Sequence, residues 1–163
     1  MKKVYLLLTM LAVGAFGQSE TTVRWRGMEG VITAPGVDNP VGQIHSGAGP
    51  WTTRGGNIRI NLRSGEGSFD VDGLVLNGGN ATGTTGPVAS VIGTLVCNPG
   101  AAGEAVLDTP AASLNAEGNA ELSFKLNVPT VCDKPVFLIR TASGRWIATG
   151  TKPASNTSSN ARY

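Results

Sequence analysis

The sequence predicts an all-β protein: a single antiparallel β-sandwich, Ig-like in style, with about seven to nine strands and one disulfide. Three observations carry that expectation. Residues 118–128 (GNAELSFKLNV) alternate strictly, with Ala120, Leu122, Phe124, Leu126 and Val128 on one face and Glu121, Ser123, Lys125 and Asn127 on the other. A period of two belongs to a strand with one buried face, whereas a helix would scatter the same residues around its circumference. Glycine supplies 23 of the 163 residues, and short β-branched or apolar runs stand between Gly, Pro, Asn and Asp clusters, the punctuation of sandwiches and barrels. The only two cysteines, Cys97 and Cys132, lie on either side of the alternating strand.

Residues 1–17 stand apart from this pattern. Lys2 and Lys3 precede an apolar run, 4–13 (VYLLLTMLAV), and Ala15 and Gly17 place small residues before a cleavage point at Gln18. That is the layout of a secretory signal peptide. The run is shorter than the roughly 18 apolar residues of a membrane span. No cysteine follows the cleavage point for lipid attachment. The expectation is an exported chain, secreted or periplasmic, with no membrane insertion after cleavage between Gly17 and Gln18. The short lysine-led signal has a bacterial look, so the N-x-S/T sequons at Asn80 and Asn156 carry little weight. With Lys2 and Lys3 removed, eleven basic side chains face eleven acidic ones. Binding of nucleic acid or an anionic membrane would need a basic patch, and the arginines are spread along the chain, so neither partner is expected.

The β-sandwich domain is expected over 18–150, long enough for one core. Residues 22–27 (TVRWRG) alternate Val23 and Trp25 against Arg24 and Arg26 and predict a first strand, continued by 28–33 past a bulge at Gly30. Residues 34–50 (APGVDNPVGQIHSGAGP) form a long connection of the kind that is functional or mobile; it carries the only histidine, His45, and leads into Trp51. A hairpin follows. Ile58, Ile60 and Leu62 face inward on its first strand, Phe69 and Val71 on its second, around the turn residues Ser64-Gly65-Glu66-Gly67. The outer face is basic on the first strand (Arg59, Arg63) and acidic on the second (Asp70, Asp72), predicting cross-strand charge pairs. Residues 77–86 (NGGNATGTTG) read as a surface loop.

Residues 88–97 (VASVIGTLVC) are apolar on both faces, as in a central strand, with Gly93 marking a bulge or a close backbone approach. Residues 104–108 predict a short strand, and 111–114 another or the same one resumed after Pro110. Pro129 ends the alternating strand. Residues 135–141 and 145–150 predict a closing hairpin around Ala142-Ser143-Gly144. Residues 151–163 (TKPASNTSSNARY) have little to bury and read as a flexible C-terminal tail. In an exported chain the two cysteines predict a Cys97–Cys132 disulfide.

The chemistry-bearing residues are sparse. One histidine excludes multi-His metal centres, and no G-x-S-x-G, S-x-x-K or phosphate-loop motif occurs. Asp70, Asp72, Asn77 and Asn80 could suggest calcium, but two aspartates on a strand without a following glutamate at EF-hand spacing read better as a solvated strand face. Trp25 and Trp146 fit inward strand positions. Trp51, at the end of the long connection, either pins that loop or exposes its ring to stack on a sugar, with His45 in the segment before it. Trp51 and His45 are therefore the candidate ligand-binding residues. No catalytic residue, metal ligand or cofactor is indicated.

The run 58–97, a hairpin ending DGLVLN followed by GPVASVIGTLVC, with the later GNAELSFKLNVPTVCDKPVFLI and GRWIATG, resembles a pattern of small exported bacterial β-sandwich proteins of uncharacterised function. More distantly it is similar to CHRD-type secreted modules. Their His-x-His element is absent, and Gln43-Ile44-His45-Ser46 stands before the hairpin and not after it. The resemblance implies a β-sandwich and export, and transfers no functional residue. The function expected is that of an exported, non-enzymatic binding or structural module acting on an extracytoplasmic partner or glycan. The alternatives are a carbohydrate- or surface-binding protein and a small secreted hydrolase. The sequence leaves the oligomeric state open.

Overall fold

The computed structural model describes residues 22–34 and 36–152. The expected signal peptide (1–17), its cleavage point and the tail from residue 153 onward lie outside the described residues, as does the Asn156 sequon. Among the described residues there are eleven strands, one short 3-10 turn (Gly79–Ala81) and no α-helix. Hence no helix among them is long and apolar enough to cross a membrane.

Nine strands form two antiparallel sheets. The four-stranded sheet runs β1 (Thr22–Trp25), β4 (Gly55–Asn61), β5 (Glu66–Asp72), β9 (Ala120–Lys125). The five-stranded sheet runs β2 (Met28–Gly30), β11 (Trp146–Gly150), β10 (Val136–Thr141), β7 (Ser90–Cys97), β8 (Ala105–Ser113). A two-stranded ribbon pairs β3 (Trp51–Thr52) with β6 (Val75–Leu76). The all-β expectation holds, with the ribbon adding two short strands to the nine of the main sheets.

The inner face of the four-stranded sheet is read directly from register. Val23, Ile60, Gly67 and Phe124 form one row across it, and Trp25, Ile58, Phe69 and Leu122 form the next. Phe137 of β10 reaches across from the other sheet, with ring centroids 6.0 Å from Trp25, 5.9 Å from Phe69 and 5.8 Å from Phe124. Burial of such rings supplies most of the driving force for joining the sheets. Gly93 in β7 provides the room. A Cβ there would lie 2.7 Å from Phe137 Cζ and 2.8 Å from Phe69 Cε1. The sequence reading of Gly93 as a bulge or a close approach is met on both counts, because the β7–β8 register also shifts between Ile92 and Thr94. The freed Gly93 amide donates to Thr109 Oγ1 at 3.0 Å. Pro110 is carried within the single strand β8, an edge strand, at the point where the β7–β8 register shifts and the ladder is interrupted.

The Cys97–Cys132 disulfide is present, with Cα atoms 4.7 Å apart and a sequence separation of 35. It ties the end of β7 to the connection that carries the chain from β9 to β10, from one sheet to the other. Asn98 completes the clasp in a left-handed conformation (φ 54°) that asparagine tolerates. Its amide donates to Asp133 O at 3.0 Å, and its side-chain oxygen accepts from Asp133 N at 2.8 Å.

Two local expectations change. Residues 22–33 are not one strand with a bulge: β1 belongs to the four-stranded sheet and β2 to the five-stranded one, the chain crossing over at Arg26 and Gly27. Gly30 marks a close approach instead, since a Cβ there would lie 2.1 Å from the carbonyl oxygen of Trp51. The expected cross-strand charge pairs of the hairpin are also absent. Register sets Arg59 opposite Ser68, and Asp70 opposite Asn57.

Candidate ligand-binding face

The segment holding His45 and Trp51 is strapped down. Trp51 is 5% exposed, its amide donating to Val31 O at 2.8 Å. With Trp25 at 2% and Trp146 at 7%, no tryptophan presents an open ring face to a sugar. The stacking role expected of Trp51 is thus replaced by a packing one, because β3 lays its ring into the core between β2 and β11. His45 is exposed at its side chain, and its Nδ1 is hydrogen-bonded to Asp38 Oδ2. Asp38 Oδ1 accepts from the Ser46 amide at 2.9 Å and from Ser46 Oγ at 3.3 Å. First the His45 hydrogen bond and then the Ser46 amide hold the Asp38 carboxyl below its ordinary value. Ser, His and Asp are all present here, but the carboxylate stands between the other two and Ser46 is 1% exposed. A nucleophile-base-acid relay needs the imidazole in the middle.

This cluster buttresses β11. Trp146 Nε1 donates to Asn39 O at 2.7 Å, Trp146 N to His45 O at 3.0 Å, and Arg145 Nη1 to Ser46 O at 3.1 Å. Glu104 fastens the turn at Gly42 by accepting from Gln43 N at 2.9 Å. The long connection is therefore a structural strap. Among the described residues no group of three or more His, Cys, Asp or Glu side chains is placed to hold a metal ion.

The outer face of the four-stranded sheet differs in kind. Strand alternation sends Arg24, Arg59, Ser68 and Ser123 outward, and register aligns them as one row across all four strands. The next row holds Asn57, Asp70 and Glu121. Opposite residues have Cβ atoms roughly 4.5–5.5 Å apart, so Arg24 faces Arg59, and Asp70 faces Glu121, as like-charge neighbours. Arg26 extends the basic side past the end of β1. Lys152 lies at the same edge, its Nζ 5.8 Å from the centroid of the Trp25 ring. Bases thus occupy the β1–β4 half and acids the β5–β9 half. Between the main rows and the hairpin tip, Lys125 and Glu66 compensate each other at 3.7 Å.

Arg54, Arg140 and Arg145 are answered within the fold, whereas the Arg63 side chain, just past β4, makes no hydrogen bond or ion pair among the described residues. Arg140 Nη1 donates to Asp108 at 2.8 Å and its Nε to Gly144 O at 2.9 Å; Arg54 donates to Asn119 at 3.2 Å. Among the described residues the side chains of Arg24, Arg26, Arg59, Ser68 and Ser123 make no hydrogen bond or ion pair. Shallow depressions follow this face, one lined by Arg24, Arg59, Ser68 and Ser123 and one by Arg24, Arg26, Arg59 and Asp70.

The sequence shows Arg24, Arg26 and Arg59 outward on their strands, but the pairing of β1 with β4 brings the two clusters together, and no local pattern announces that pairing. Comparison with family models, with curated proteins and with solved structures finds no match for this chain.

Proposed function

We propose that this chain is an exported, non-enzymatic binding module, and that its ligand is a carbohydrate or surface polymer lying along the outer face of the four-stranded sheet. The observation that carries the reading is the row Arg24–Arg59–Ser68–Ser123. Its polar groups are ordered by register and left unpartnered within the fold among the described residues, while Arg54, Arg140 and Arg145 are bonded within it. A flat face of donors and acceptors suits an extended ligand read by hydrogen bonds, not a small molecule enclosed in a cavity. Export is supported by the signal-like residues 1–17 and by the disulfide, which belongs to oxidising compartments. The non-enzymatic reading is supported by the inverted Ser46–Asp38–His45 order.

The test is a glycan array followed by amide chemical-shift mapping with a bound glycan. Shifts concentrated at residues 24, 59, 68 and 123 are the expected result. An array without a bound glycan, or shifts confined to the five-stranded sheet, overturns the reading.

A further inference from the structure

We infer that the ligand of this face is an acidic polysaccharide with widely spaced anionic groups, held by Arg24 and Arg59 acting together; this rests on reading the face as the binding site. Two arginines directly opposite each other repel, and Asp70 and Glu121 repel likewise one row away. Both costs fall in one sheet, where interleaving the two arginines with Asp70 and Glu121 would have relieved them. An anionic group bound between Arg24 and Arg59 converts the first repulsion into two charge-assisted contacts, for which guanidinium groups are suited by their planar donor forks.

The acidic half supplies the second constraint. Carboxylates at Asp70 and Glu121 accept hydrogen bonds from sugar hydroxyls but repel any anion placed over them. Asp70 is already oriented by Asn57, whose amide donates to its Oδ2 at 3.1 Å. A polymer charged at every unit would set anions over both halves. A chain with one carboxylate or sulfate per two or three sugars can place its anion on the arginines and its hydroxyls on the acids. Ser68 and Ser123, between the two, offer neutral donors and acceptors. Nucleic acid, with a phosphate on every residue, fits the acidic half poorly.

The probes are hyaluronan (one carboxylate per disaccharide), a sparsely sulfated dextran, unmodified dextran, densely sulfated dextran and duplex DNA, titrated onto the mature chain by calorimetry. Binding of one or both sparsely charged polymers in preference to the other three is expected, and which one binds distinguishes carboxylate from sulfate. Arg24→Gln and Arg59→Gln should each weaken it about tenfold, the effect of one lost charge-assisted contact. Lys134→Asn removes a charge elsewhere, at a left-handed position asparagine accepts (φ 48°), and should leave binding unchanged. Asp70→Asn should raise affinity for the densely sulfated polymer. Unmodified dextran binding as well as the sparse polymers overturns the anionic assignment but leaves the face as a glycan site. Tighter binding of DNA or densely sulfated dextran, or equal binding by the arginine variants, overturns the inference. So does salt-sensitive self-association lost in both arginine variants without polysaccharide binding, which would make the face an interface between copies. Failure of every polymer here together with a blank glycan array removes the broader reading as well.

Discussion

Arg24 of β1 and Arg59 of β4 stand directly opposite each other on the outer face of the four-stranded sheet, and neither has an ion-pair partner among the described residues. Like charges in this position destabilise a sheet by roughly 0.2–1 kcal/mol. Arg59→Thr keeps strand propensity and removes the repulsion. Urea unfolding should show a gain of about that size at low salt. The gain should shrink near 1 M salt, where the screening length falls to about 3 Å. A loss of stability at low salt would mean that Arg59 contributes more through packing of its stem than it costs in charge.

The disulfide closes the crossover between sheets, so its removal frees the loop between Cys97 and Cys132, a sequence separation of 35, in the unfolded chain. Loop-closure entropy puts the cost at about 4 kcal/mol. That is a large share of an ordinary domain's roughly 5–15 kcal/mol. The Cys97→Ala, Cys132→Ala double variant should therefore unfold at a markedly lower denaturant midpoint, and a midpoint within error of the parent would contradict this account.

Gly93 tests the aromatic packing. In Gly93→Ala the new Cβ meets two rings, Phe137 at 2.7 Å and Phe69 at 2.8 Å, each hemmed in by the other and by Phe124. Overpacking of this kind costs about 1–3 kcal/mol. Gly49→Ala, where a Cβ meets nothing within 4 Å, is the matched control and should change stability little. Equal denaturation midpoints for the two variants would show that the rings can move aside.

These contacts indicate what was legible in the chain. Strand alternation marked Trp25, Ile58, Phe69 and Phe124 as inward, and all four are buried. The crossover at Gly27 was hidden, because residues 22–25 and 28–30 carry similar strand signals and only tertiary pairing assigns them to different sheets. The candidate face was hidden for the same reason. Arg24 and Arg59 meet through a register that the inward pattern permits but does not identify. The strap misled in the other direction. Its glycines and prolines suggested looseness, whereas Asp38, Ser46 and Glu104 anchor its backbone through side chains. Side-chain-to-backbone bonds leave no periodicity to read.

The strap also makes a prediction about acid. Asp38 is held below the ordinary aspartate value of 3.8 by its hydrogen bond to His45 and then by the Ser46 amide, with burial opposing weakly. A carboxyl whose folded value is depressed stabilises the fold above its unfolded value, and that contribution is lost as pH falls through the folded value. The window therefore lies below about pH 4, and protonation there should release Ser46 and loosen the Asn39–Trp146 contact that depends on the same turn. Asp38→Asn keeps the shape but removes the titration. Its unfolding temperature should sit below the parent's at neutral pH, and the two curves should converge in strong acid. The Trp146 indole N–H resonance, set by its bond to Asn39 O, offers a local readout, shifting in the parent with the acid transition and already shifted in the variant at neutral pH. Parallel curves for parent and variant down to strong acid would place the acid sensitivity of the fold at another carboxylate.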